Sequence, residues 1–236
     1  MPLAGQNIFE SCFDCKQRGL RVFCSLSGDA LQRLDSIGIQ VKLPGRAIVF
    51  NEGQAGKAVF VVCEGQLKLS ASSAEGRTMI LRLAGPGDLL GLGAVLTEAP
   101  YEVTAETLEP TVLKNIPRVD FLDFLQSYGD VGTRTARVMA DEYQEVFLDA
   151  RRLALSGSAS GRLARLLLDW AASAACGKPE LRFTMALTHE ELANMAGTSR
   201  ETVTRLLNRF ERDHLIARHG SSLVILKPDQ LGQLAA

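Results

Sequence analysis

The chain has 236 residues, 46% of them hydrophobic and 22% charged, with a formal net charge of −1. That length supports one or two cores, and that balance excludes a disordered or fibrous chain. It also excludes a molecule that is basic as a whole, so any affinity for a polyanion must come from a local patch. No apolar run approaches the roughly 18 residues of a membrane span. Met1–Cys12 lacks a basic segment followed by an apolar one and does not read as a secretory signal. The expected compartment is therefore the reducing cytoplasm. There the five cysteines, three of them within the first 24 residues, favour metal or redox roles over disulfides.

Four segments follow in chain order, with no tandem repeat, and the expected class is α+β. Residues 1–25 form a polar segment carrying Cys12, Cys15 and Cys24. A short helix with Leu31 and Leu34 on its apolar side opens the second segment, 26–120. From Val41 to Val119 short apolar stretches alternate with glycines: Ala47–Phe50, Ala58–Cys63, Gln66–Ala71, Thr78–Leu83 and Thr111–Ile116. Many short strands at regular spacing predict a β roll or small barrel, and Gly87–Gly93 reads as one of its turns. The third segment, 121–156, is predicted to be one helix. Met139, Tyr143, Val146, Ala150 and Leu153 recur at steps of four and three, a narrow seam that fits a partner helix. Packing against the chain's own roll is the plainer alternative. Gly157 then offers a hinge.

The fourth segment, 157–236, is predicted to be helical and to end in a hairpin. Leu163, Leu166, Leu167 and Trp170 share one helix face, and Cys176-Gly177-Lys178-Pro179 closes that region. Thr188 and Glu191 have the spacing of a capping box. Gly197 sits where that helix must stop, and Thr198 and Ser199 can cap the next. Val203, Leu206, Leu207 and Phe210 then bury one side of a second helix, leaving Arg200, Glu201, Thr204, Arg205 and Asn208 on the other. Between Gly197 and Gly220 there are five arginines against three acids. Leu215–Ala217 and Leu223–Ile225 read as strands around the turn 219–222, a wing. Arginine can bind guanine O6 and N7 with two hydrogen bonds, and glutamate can accept from cytosine N4. Two helices joined by a glycine turn, with such groups at the start of the second, predict a helix-turn-helix that enters the major groove of DNA.

The string Gly197-Thr198-Ser199-Arg200-Glu201-Thr202-Val203-Thr204-Arg205-Leu206-Leu207 resembles the recognition helix of the CRP/FNR superfamily of bacterial regulators. The order of roll, long helix and winged helix resembles that family over nearly the whole chain. The resemblance implies base contacts by Arg200, Glu201 and Arg205, phosphate anchoring by Ser199 and Thr202, and a homodimer on a palindrome with TGTGA-like half-sites. It also implies RNA polymerase as a partner. Family members that bind cyclic AMP carry a glutamate in the glycine-rich turn and an arginine for the phosphate. Here no glutamate follows Gly91, and Val103 stands at the arginine position beside Glu102. A buried phosphate needs a cation or a nest of amides, so cyclic AMP is not expected.

Cys12-x-x-Cys15 followed by Cys24 resembles the iron–sulfur ligand segment of FNR-type oxygen sensors, with a longer second spacing. A cubane needs four ligands, and Lys114 aligns with the family's fourth cysteine. Cys63 is a possible substitute, although it reads as a strand residue, and Asp14 is a weaker one. Thiol redox chemistry, zinc, or no cofactor are the alternatives, the last of which leaves an effector-free or small-ligand-controlled regulator with no metal. A redox or metal-binding adaptor acting by protein contact is the reading from another class. No nucleophile elbow, Walker loop, zinc-protease or dinucleotide motif is present, so no enzyme is expected.

Overall fold

The computed structural model describes residues 11–15, 18–26, 28–72, 78–155, 158–175, 181–185, 187–220 and 222–235; at some helix positions, Ala150 and Leu153 among them, only the backbone is described. The chain divides into two compact units, Met1–Ala71 with Arg82–Tyr143, and Ser72–Leu81 with Gln144–Ala236.

The first unit is built on two four-stranded sheets. One has the strand order β1 (Ile39–Leu43), β8 (Thr111–Pro117), β3 (Ala58–Glu64), β6 (Leu89–Leu90). The other runs β2 (Ile48–Phe50), β7 (Thr104–Thr107), β4 (Leu67–Ser72), β5 (Thr78–Ala84). The five stretches predicted as strands all appear. Four elements of this unit escaped the sequence reading: β1, β7, and the pair formed by β6 and helix α2 (Leu92–Thr97), which replaces the simple turn expected at Gly87–Gly93. They were hidden because each is short and because burial there comes from contacts with distant strands rather than from local alternation.

Period-two alternation along β3 separates two cores. Val59 and Val61 join a cluster with Phe23, Leu31 and Leu34 of the N-terminal region, including α1 (Gly28–Ile37), and with Phe121 and Phe124 of α3 (Arg118–Ser127). Val62 faces the other way, into the roll interior with Phe50, Leu67 and Tyr101. Residues predicted as one helix from Phe121 onward form two, α3 and α4 (Gly129–Leu155), parted at Tyr128, whose extended backbone ends α3. Met139 of α4 packs against the first cluster.

In the second unit α5 (Ala159–Ala175) buries Leu163 and Leu167 and packs on α8 (Pro228–Ala235), a helix that follows the predicted terminal hairpin. Trp170 meets Phe183 of β9 (Arg182–Thr184) edge-on, with ring centroids 5.9 Å apart. β9 adds a third strand to the wing, in the order β10 (Ile216–His219), β11 (Ser222–Ile225), β9. The hinge at Gly157 and the stretch Cys176–Pro179 lie outside the described residues. Among the described residues no helix is long and apolar enough to cross a membrane.

Candidate nucleic-acid interface and cysteine cavity

The capping box at α6 (His189–Met195) is present in full: Thr188 Oγ1 accepts from the Glu191 amide and the Thr188 amide donates to Glu191. The helix ends at Met195, and the chain turns at Gly197, whose φ of +57° lies in the left-handed region that a Cβ disfavours. Ser199 then caps α7 (Arg200–Arg212), accepting from the Thr202 amide at 3.2 Å. Val203, Leu206, Leu207 and Phe210 are buried, as their spacing predicts. Burying that face obliges Arg200, Glu201 and Arg205 to stand outward, and all three are exposed. The Arg200 and Arg205 guanidinium groups make no hydrogen bond or ion pair among the described residues. Glu201 is held below the usual carboxyl range by its own backbone amide, by the Ser199 hydroxyl and by the Arg200 charge. It is therefore an ionised acceptor at neutral pH. Ser199 and Thr202 are hydrogen-bonded to each other, 3.1 Å apart, at the start of α7.

Three positioning contacts were not legible in the sequence. Arg162 of α5 donates to the carbonyls of Ala196 (2.7 Å) and Gly197 (3.1 Å), bracing the turn between the two helices. Arg218 of β10 reaches Glu211 at 2.6 Å and Asn208 at 2.8 Å, tying the wing to α7. Asn208, read as part of the outward face, is therefore engaged by the wing. His189 Nδ1 and Thr204 Oγ1 are hydrogen-bonded across the α6–α7 contact at 2.9 Å. No local periodicity marks such cross-element pairs.

An exposed basic helix capped at its N-terminus, braced by a preceding helix and flanked by a three-stranded wing, is a winged helix-turn-helix DNA-binding domain. Residues 161–234 match the Crp-like helix-turn-helix domain family, and residues 40–128 match the cyclic nucleotide-binding domain family. The chain is 30% identical to the transcriptional activator protein FnrA of Stutzerimonas stutzeri, covering 95% of this chain and 91% of that protein. It is 26% identical to the CRP-like cAMP-activated global transcriptional regulator of Mycobacterium tuberculosis, over 91% and 96% of the two chains. Among solved structures, FixK2 from Bradyrhizobium japonicum superposes with a TM-score of 0.75 at 18% identity, over 85% of this chain and 98% of that one. This chain belongs to the CRP/FNR superfamily and is a transcription regulator, not an enzyme.

In the roll, the rings of Phe50 and Tyr101 stack at 4.0 Å and those of Phe50 and Phe60 at 5.5 Å. Val103 packs against this aromatic core. Glu102 Oε1 lies 3.0 Å from where a Cβ on Gly93 would stand, placing a carboxylate over the first turn of α2.

The cysteines meet elsewhere in the same unit. Cys12, Cys15, Cys24 and Cys63 all line one cavity of about 200 Å³. Asp35 of α1 holds the N-terminal segment in place, accepting from the Cys12 amide at 2.8 Å and the Ser11 hydroxyl at 2.9 Å. Lys114 of β8 donates to the same carboxylate at 2.8 Å. Burial works against the Lys114 charge, but its hydrogen bonds to Asp35 and Cys12 outweigh that and raise its pKa. Burial raises the Cys12 thiol, and burial with neighbouring cysteines pushes Cys24 and Cys63 up to about 12. Among the described residues no three His, Cys, Asp or Glu side chains are set to grip a single metal ion. The donor set nevertheless suits an iron–sulfur cluster: thiols from separate elements surround one space, with Arg18, Arg21 and Lys114 against the single carboxylate of Asp35. That positive surplus has the sign that a group of buried thiolates requires. Asp14 is not among the lining residues.

On α4, Tyr143, Val146 and Phe147 are 73%, 62% and 58% exposed. Phe147 was absent from the predicted seam, although its i+4 spacing from Tyr143 could have found it. Met139 turns inward instead, and the Ala150 and Leu153 side chains lie outside the described ones.

Proposed function

We propose that this protein is a homodimeric regulator that reads a palindrome with TGTGA-like half-sites and is controlled by oxygen or redox state through an iron–sulfur cluster at Cys12, Cys15 and Cys24. The convergence of four cysteines on one cavity with a cationic lining carries the sensory half of this reading. The exposed Arg200, Glu201 and Arg205 carry the DNA half. Arg200 and Arg205 donate to guanine, Glu201 accepts from cytosine, and the amides at the start of α7, ordered by Ser199 and Thr202, face phosphate. The exposed seam on α4 joins the two copies, RNA polymerase is the partner at the promoter, and the reducing cytoplasm keeps the thiols available. A bound cluster supplies an oxygen-labile centre; the chain's own residues supply the thiolates, the cationic surround and the Asp35 anchor. FnrA and the Anr proteins of Pseudomonas, similar along nearly all of the chain, favour this reading.

Protein purified without oxygen should be coloured, with visible absorbance that bleaches in air and binding to the palindrome that weakens in parallel. Colourless protein free of iron, binding DNA equally in both atmospheres, would refute the sensory reading and leave the DNA reading standing.

Cyclic AMP is not the effector in this reading. A cyclic phosphate at the first turn of α2 would face the Glu102 carboxylate, and Val103 offers it no cation. Titration calorimetry should detect no micromolar affinity for cyclic AMP; such affinity, coupled to tighter DNA binding, would overturn the assignment.

A further inference from the structure

Three cysteines leave one iron of a cubane without a protein thiolate. Of the other side chains that line the cavity, Cys63 carries the remaining thiol, whereas Lys114 is engaged by Asp35 at 2.8 Å. Resting on the cluster reading above, we infer that Cys63 on β3 is the fourth thiolate ligand.

Placement supports it. Val59 and Val61 face the cluster of side chains against which Cys12 and Cys24 pack. The pairing of β3 with β8 then slips: Val62 is opposite Leu113, and Glu64 is opposite Val112. Cys63 is the extra residue in that step, left out of the ladder. Such bulges re-aim a side chain near functional sites, and this one lies at the wall of the cavity that Cys12, Cys15 and Cys24 also line. A single ion needs its ligands within a bond length of one point, whereas a cubane spreads four thiolates over its corners. Cysteines drawn from the N-terminal segment, from the link before α1 and from β3 line one cavity without forming a single-ion site among the described residues.

Lys114 has a different task in the same wall. On β8 it is opposite Val61, two residues before Cys63. Held by Asp35 at 2.8 Å, it lines the cavity beside the thiols without being one of them. Position 63 lies outside the N-terminal cysteine segment, so the cluster would bind that segment to the β3–β8 sheet rather than close a loop within it.

The test uses the full chain, reconstituted without oxygen with equal amounts of ferrous and ferric iron and with sulfide. Wild type should hold iron and acid-labile sulfide in equal amounts, about four of each per chain. Cys63→Ser and Cys63→Val should lose most of both, as should Cys24→Ser, while Cys176→Ser keeps the wild-type content. Valine suits a strand, so Cys63→Val should retain the wild-type far-ultraviolet circular dichroism and separate ligand loss from misfolding. In wild type, Cys63 should resist alkylation until a chelator strips the iron, together with Cys12, Cys15 and Cys24. Should both Cys63 variants keep full iron and sulfide while Cys24→Ser loses them, Cys63 is not a ligand and the cluster reading survives. Should wild type itself take up no iron, the parent reading fails instead.

Discussion

Replacing Glu201 with alanine should weaken binding to the palindrome by roughly 1–3 kcal/mol per half-site and relax the preference at one base pair. A dimer makes the contact twice, so the loss on the full site is about 2–6 kcal/mol, on the order of 30-fold to 10⁴-fold in affinity. The side chain is fully exposed, and its hydrogen bonds lie at its own end of the helix, so removing it should leave the fold intact. Arg205→Ala should behave in the same way at a different base pair. Competition assays against half-sites substituted one base at a time distinguish base reading from phosphate contact. A phosphate contact would weaken all sequences equally and lower the salt dependence by about one charge. Selection from random DNA that returns no paired, guanine-containing half-sites would refute the assignment.

The second large effect belongs to α4. Val146→Glu should convert the protein to a monomer at micromolar concentration, because two carboxylates would be desolvated against each other across a two-fold axis. The penalty for each such ion is several kcal/mol in an apolar seam, on the order of what separates a stable dimer from its monomers. DNA affinity should fall with it, by about 10²-fold or more, since the second half-site loses its effective-concentration advantage. Val146 is exposed in the single chain, so the substitution leaves the cores described above untouched. Light scattering at low concentration gives the mass directly. An unchanged dimer would show that Tyr143, Val146 and Phe147 do not form the contact.

The recognition helix was legible because every signal for it is local. Capping spacing, a glycine stop and an i, i+3, i+4, i+7 stripe lie within some twenty residues, and together they determine which side is buried and which side stands exposed. The β strands with long apolar runs were legible for the same reason. The tertiary structure alone decided what depends on residues far apart. It showed that Met139 turns inward while Phe147 turns out, and that Arg162 and Arg218 brace α6, α7 and the wing. It also put Asp35, Lys114 and Cys63 around the cavity that Cys12, Cys15 and Cys24 line. A strand cysteine reads as a small buried hydrophobe until its neighbours across the fold are known. Strand pairing brings Lys114 beside β3 across some fifty residues of chain, and a one-residue slip in that pairing leaves Cys63 at the cavity wall. Such contacts are set by sheet register and by the packing of α1 on the roll, which one sequence does not encode in any local period.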